Sequence, residues 1–117
     1  MSVTRAEIAN RALRRCGRLA FDQTAESSLS NEALQAYDEV YSRLEELGVV
    51  DWGSTAAIPN QYVFWVVAMT AYSLADALGI SSERYQRIAV DAQSAEREIR
   101  RVFNSAYTPT QIKVSDY

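Results

Sequence analysis

The chain has 117 residues, a formal net charge of −3, one cysteine and no histidine. That length fits one domain with a sizeable core, and the net charge is not the positive field expected of a protein whose main ligand is duplex DNA. The missing histidine excludes the usual zinc-ligand sets and the Ser-His and Cys-His nucleophile arrangements, and Cys16 alone cannot form an internal disulfide.

The charge is unevenly distributed along the chain. Residues 1–21 hold five arginines and one glutamate, a balance of +4, whereas residues 22–76 hold nine acidic residues and Arg43, a balance of −8. All basic residues except Lys113 are arginines, which pair with carboxylates at interfaces better than lysines do. Two interpretations stay open: a solvated helical surface, or a basic face on one copy that meets an acidic face on the next.

The first predicted helix begins at Thr4 and ends at Gly17. Thr4 and Glu7 have the spacing of a capping box, and a glycine is well placed to end a helix in a left-handed conformation. The segment lacks the apolar stretch of a signal peptide, so we expect synthesis in the cytoplasm. The apolar residues that recur at helical spacing are Ile8, Ala9, Ala12, Leu13 and Cys16.

A polar loop is predicted over residues 18–30, followed by a second helix that is capped by Ser30 and closed by Gly48. Its apolar stripe should pack on partner helices. The stripe consists of Ala33, Tyr37, Val40, Leu44 and Leu47. The residues that fall away from this stripe and make the other side acidic are Asp38, Glu39, Glu45 and Glu46.

The third predicted helix starts at Pro59 and includes Tyr62–Ile80, "YVFWVVAMTAYSLADALGI". A membrane span needs about 20 predominantly apolar residues with basic flanks, whereas this stretch is interrupted by polar residues and ends at Gly79. A helix that is apolar all round suits the centre of a bundle. We therefore expect it to be the buried axis of the fold.

The fourth predicted helix is capped by Ser81 or Ser82 and keeps one apolar face for about five turns. Glu96 and Arg100 have the spacing of an intrahelical ion pair. After Asn104 a proline and alternating apolar residues favour an extended segment. The predicted fold is all-α, a compact bundle of four main helices around the apolar third helix. It comprises a helical domain, residues 1–106, and an extended C-terminal tail, residues 107–117, that is either disordered or pairs with another chain.

Three stretches in order, "EIANRALRRCGRLA", "NEALQAYDEVYSRLEELGVVDWG" and "IPNQYVFWVVAMTAYSLADALGI", together resemble the head-to-tail adaptor, or connector, proteins of tailed bacteriophages. The helix end resembling ALRxLG falls on Ala12–Gly17, and the acidic helix with its aromatic turn falls on Asn31–Trp52. The Ile-Pro start and apolar helix fall on Ile58–Gly79, and the closing helix and tail on Ser81–Tyr117. Cys16 stands where the family usually has leucine. The resemblance covers nearly the whole chain.

The resemblance implies a structural protein of the virion, without catalysis or cofactor, at the head-tail junction. A ring of usually twelve copies would dock below the portal protein and extend the channel through which double-stranded DNA passes without sequence-specific binding. The ring would also offer a platform to a tail or stopper protein. The resemblance assigns portal binding to the tail, with Tyr107, Pro109, Ile112, Val114 and Tyr117. Opposite charges predict a subunit interface that contains Arg11, Arg14, Arg15, Asp38, Glu39 and Glu45.

Three alternatives remain at this stage. A DNA-binding regulator is suggested by the arginines of the first helix, but a long polar loop follows where a short turn and a recognition helix are required. A small enzyme has little support, because neighbouring acids such as Asp38 and Glu39 do not point to one place on a helix. A generic helical interaction module outside any virus is the third.

Overall fold

The computed structural model describes residues 2–17 and 26–107. Their helices are α1 (Arg5–Arg15), α2 (Ser27–Glu46), α3 (Val63–Leu78) and α4 (Ser82–Tyr107). Two short strands, β1 (Ser2–Val3) and β2 (Ile58–Pro59), pair in antiparallel fashion. The prediction of an all-α bundle is confirmed.

Helix α1 begins as the sequence predicts. The Glu7 backbone N–H donates to Thr4 Oγ1 at 3.2 Å, which satisfies one of the amide groups left open at a helix start. Gly17 follows the helix with φ of +77°. The side of α1 that carries Ile8 and Leu13 is fully buried.

Helix α2 begins at Ser27, three residues before the predicted cap, so the assignment of Ser30 as N-cap was wrong. Glu26 occupies the cap position without a side-chain hydrogen bond. The polar residues after Glu26 resembled a loop, but Leu29 and Leu34 pack against the buried cluster that includes Ala33 and so hold the first turns in place. Gly48 follows the helix end with φ of +71°, as expected.

The start of the third helix also differs from the prediction. Pro59 lies in β2, opposite Ser2, and a short 3-10 turn, Asn60–Tyr62, separates it from α3. Proline fixes φ near a value that both extended chain and helix adopt. Pro59 alone therefore could not show whether a strand or a helix begins there. Gly79 ends α3, as predicted, and it adopts the left-handed conformation.

Helix α3 is the centre of the bundle. Helices α1, α2 and α3 contact one another pairwise, whereas α4 packs chiefly on α3. One end of the core contains Val66, Tyr37 and Ile99, and the other contains Leu74, Ala33 and Ile88. The buried Thr70 hydroxyl donates to the Val66 carbonyl at 2.8 Å, so this polar group stays paired in an apolar setting.

The expectation that α3 is covered on all sides was wrong. Phe64 is 66% exposed and Tyr72 is 43% exposed. The reason is geometric: α1 and α2 pack against each other beside α3, but α4 does not pack closely on either, so α3 reaches the surface on both sides of α4.

Helix α4 begins after Ser81, whose Oγ accepts the Arg84 backbone N–H at 3.3 Å. It runs to Tyr107 and so extends past Asn104, where the sequence predicted its end. Tyr107 is therefore helical and not part of an extended tail. The other predicted tail residues, Pro109, Ile112, Val114 and Tyr117, lie outside the described residues. Within residues 2–17 and 26–107, no helix combines the length and apolar character needed to cross a membrane.

Candidate interaction surfaces

An open groove of about 440 Å³ lies between α1 and the start of α3, and we call it the Phe64 groove. The Phe64 ring stands at its edge, and the Arg15 guanidinium carbon lies 5.7 Å from the ring centroid, close enough for a cation–π interaction. The groove is lined by Arg11, Arg14, Arg15, Asn60, Val63, Phe64 and Val67. An exposed aromatic ring bordered by arginines is the composition typical of protein interfaces.

The structure brings the three predicted interface arginines together at this groove, but each already pairs within the chain. Arg11 Nε lies 3.1 Å and Arg14 Nη1 3.5 Å from the same Glu7 carboxylate oxygen. Arg15 Nη2 lies 2.5 Å from Asp91 Oδ2 on α4. These contacts compensate much of the positive charge of α1 locally.

The exposed side of α2 is acidic, as predicted, and we call Asp38, Glu39, Glu45 and Glu46 the α2 acidic face. Asp38 Oδ1 accepts from Arg5 Nη2 at 2.6 Å, and Glu39 Oε1 accepts from Ser73 Oγ at 3.1 Å. Across the described segments, Glu45 and Glu46 form no ion pair. The charge of this face is therefore only partly compensated inside the chain.

A second open groove, of about 370 Å³, lies where α3 is exposed between α2 and α4, and we call it the Tyr72 groove. Buried Val40, Met69 and Ala92 line it. Arg43 Nε pairs with Glu96 Oε1 at 3.1 Å across it. The sequence did not indicate this groove, because Tyr72 lies in the apolar third helix, all of which was expected to be buried.

The outward side of α4 carries a fourth surface, the α4 surface, made of Val90, Gln93, Arg97, Arg100 and Arg101; Glu96 lines the same depression as the last four. Val90 is 63% exposed. Among the residues with described positions, Arg97 and Arg100 form no ion pair, whereas Arg101 Nη2 lies 2.7 Å from Glu98 Oε1. The predicted pairing of Glu96 with Arg100 was wrong, because Glu96 pairs with Arg43 of α2.

A buried aromatic cluster joins the segment after α2 to the bundle. The Trp52 indole N–H donates to the Tyr37 hydroxyl at 3.1 Å, and the Tyr41 hydroxyl donates to the Trp52 carbonyl at 2.7 Å. The Trp52 ring stacks on the Tyr62 ring with centroids 5.3 Å apart. Burial raises the pKa of Tyr37 above its usual value, although the Trp52 hydrogen bond opposes this. The polar groups of Tyr37 and Tyr41 are thus engaged in holding this segment.

The cysteine and the carboxylates are the remaining side chains that could carry chemistry. Cys16 is buried, and its thiol donates to the Ala71 carbonyl at 3.4 Å, which is the setting of a packed core residue. In the described part of the chain, no cluster of three or more cysteine or carboxylate side chains could hold a metal ion. The open surfaces of the described residues include the two grooves, the α2 acidic face and the α4 surface.

No family model matches the chain, and comparisons with curated proteins and with solved structures find no match. The resemblance to phage adaptors thus stays a prediction that rests on the order and spacing of the sequence motifs.

Proposed function

We propose that this chain is a head-to-tail adaptor subunit of a tailed bacteriophage. Copies of it, usually twelve by the resemblance, form a ring below the portal protein, extend the DNA channel and provide the docking platform for a tail or stopper protein. The protein is made in the host cytoplasm and acts in the virion.

The observation that carries this proposal is the placement of separate contact surfaces around a small helical body. The Phe64 groove, the Tyr72 groove and the α4 surface each expose one large apolar side chain, and charged side chains border or accompany it. An adaptor must contact two neighbouring copies, the portal and the next tail protein at once, which requires several independent surfaces. Open surfaces on several sides support such a role.

Charge supports the same role. A conduit must let DNA slide, and an acidic wall repels phosphates. The chain carries −3 overall, and the α2 acidic face presents Glu45 and Glu46, which form no ion pair with any described residue, to the outside. Ring closure requires two different surfaces that fit each other, and the molecule offers both acidic and basic ones.

The C-terminal tail supplies the portal contact in this proposal. Because α4 continues to Tyr107, the segment available for binding is residues 108–117. Its apolar residues Ile112 and Val114 alternate with polar ones, a pattern that fits β-addition to the edge of a partner's sheet.

Truncation after Tyr107 tests this function. We expect the truncated chain to keep the helical circular dichroism of the full chain and to lose retention by rings of the portal protein encoded in the same genome. The double variant I112S/V114S should lose retention too, because it removes the apolar side chains of the strand.

The matched control is S115A/D116N, which changes neighbouring polar residues of the same segment and should bind like the unchanged chain. Retention of the truncated chain at the level of the full chain would contradict the assignment of the tail.

A further inference from the structure

In the folded chain the uncompensated basic surface lies on α4, whereas the sequence indicated α1. The arginines of α1 at the Phe64 groove pair with Glu7 and Asp91. On α4, Asp91 and Glu96 pair with arginines of α1 and α2, and Glu98 pairs with Arg101. Arg97 and Arg100 are left with their charges unmatched within the described chain.

The chemistry of the α4 surface favours a protein partner over a nucleic acid. The carboxylate that lines it, Glu96, pairs with Arg43, and its remaining charged residues are arginines, which pair with carboxylates through a planar fork. Exposed Val90 lies on the same outward side, two turns away from Arg97. Arginines next to an apolar side chain are typical of protein interfaces. Binding to the phosphate backbone is electrostatic and does not require an exposed valine.

The α2 acidic face has the complementary charge. Glu45 and Glu46 are exposed and form no ion pair with any residue the structure describes, and Asp38 and Glu39 lie within two turns of them. Each cluster therefore presents its unmatched charges over a few turns of one helix. Opposite patches of similar length can meet side by side and fix the register of two helices.

We propose that the α4 surface of one copy of this chain binds the α2 acidic face of a second copy. Because the two surfaces differ, the contact is head to tail and leaves one of each free for further copies. The inference rests on the proposed function in that it supplies the subunit contact of the ring. It replaces the arginines of α1 by Arg97 and Arg100 as the basic partners.

Cysteine cross-linking tests the contact, since it captures weak association. The variants Q93C and S42C, each in a C16S background, place one thiol on the α4 surface and one on the α2 acidic face without changing a charge. We expect the mixed sample to form a Q93C–S42C disulfide dimer about tenfold faster than either variant alone, because a close approach raises the effective thiol concentration. The variant A6C, on the exposed part of α1, is the control partner for Q93C and should react at the background rate.

Charge reversal then separates this contact from the α1 alternative. R97E/R100E on the Q93C chain should bring cross-linking to the background rate, and E45R/E46R on the S42C chain should restore it, as expected for a direct pair. R11E/R14E in place of R97E/R100E on the Q93C chain should leave the cross-linking rate unchanged.

Equal rates for all thiol pairs would overturn the proposal, as would loss of cross-linking by R11E/R14E but not by R97E/R100E. The proposal would also be overturned if cross-linking stays at the background rate and the chain binds duplex DNA at physiological salt in a way that R97E/R100E abolishes. That result would assign the α4 surface to nucleic acid. Electron microscopy of the unchanged chain with portal rings tests the ring itself. If the chain cross-links as expected but adds no density to the portal rings, the contact between the α4 surface and the α2 acidic face stands and the proposed adaptor function is wrong.

Discussion

Gly17 and Gly48 give the same signal in the sequence, a glycine at a helix end, but they lie in different surroundings. Both follow a helix with positive φ, +77° and +71° respectively. A Cβ on Gly48 would meet nothing within 4 Å, whereas a Cβ on Gly17 would lie 3.0 Å from the Arg84 guanidinium carbon. Arg84 Nη1 donates to the Arg15 carbonyl at 3.0 Å and so satisfies an open acceptor at the end of α1.

Alanine substitution should separate these two settings. G48A should lower the free energy of unfolding by about 1 kcal/mol, the strain of a left-handed alanine. G17A should cost about 2 kcal/mol, because the guanidinium must also move and its hydrogen bond weakens. Urea unfolding of both variants measures the difference, and equal losses would show that the Arg84 contact contributes nothing.

At the scale of elements, α4 depends on one neighbour. It packs chiefly on α3, and its buried face meets the rest of the core through Ile88, Ala95 and Ile99. Its remaining contacts with α1 and α2 include the surface ion pairs of Asp91 and Glu96, which contribute little individually. The attachment of α4 is therefore mainly apolar.

A matched pair of truncations on α4 tests this. I99A removes a fully buried side chain and should lower the free energy of unfolding by about 2–5 kcal/mol. V90A removes a side chain that is 63% exposed and should change it by no more than about 0.5 kcal/mol. Chemical denaturation provides both values. A similar loss for the two variants would mean that Val90 is covered in solution.

At the scale of the whole molecule, the response to pH follows from composition and burial. The chain has no histidine, so that side chain contributes no titration near neutrality. Burial raises the pKa of Tyr37, and burial followed by the charge of Asp51 raises the pKa of Tyr62. The unfolded chain releases these protons first, near the ordinary tyrosine value of 10.0.

We therefore expect the free energy of unfolding to fall as pH rises above about 10, since the unfolded state loses protons there that the folded state retains. Below that pH the contribution of these tyrosines is fully present. Y37F should reduce the slope above pH 10, although it lowers stability at every pH because the Trp52 N–H loses its acceptor. Unfolding curves at several alkaline pH values measure the slope. An unchanged slope in Y37F would show that Tyr37 ionises alike in both states.

The sequence determined that four helices form and where α1, α2 and α3 end, because periodicity and helix-ending glycines are local signals. Gly48 and Gly79 ended helices where predicted. Local signals failed at Ser30 and Pro59, where packing and strand pairing overrode the expected start. Periodicity also predicted the α2 acidic face, because a helix turns opposite residue types to opposite sides.

Only the tertiary structure decided which charges and apolar groups stay open. The sequence gives each arginine the same character, but pairing depends on which helices become neighbours. Helix α4 brings Asp91 to Arg15 and Glu96 to Arg43, so Arg97 and Arg100 remain unmatched within the described residues. The exposure of Phe64 has the same origin, since a central helix is covered only where another helix lies against it.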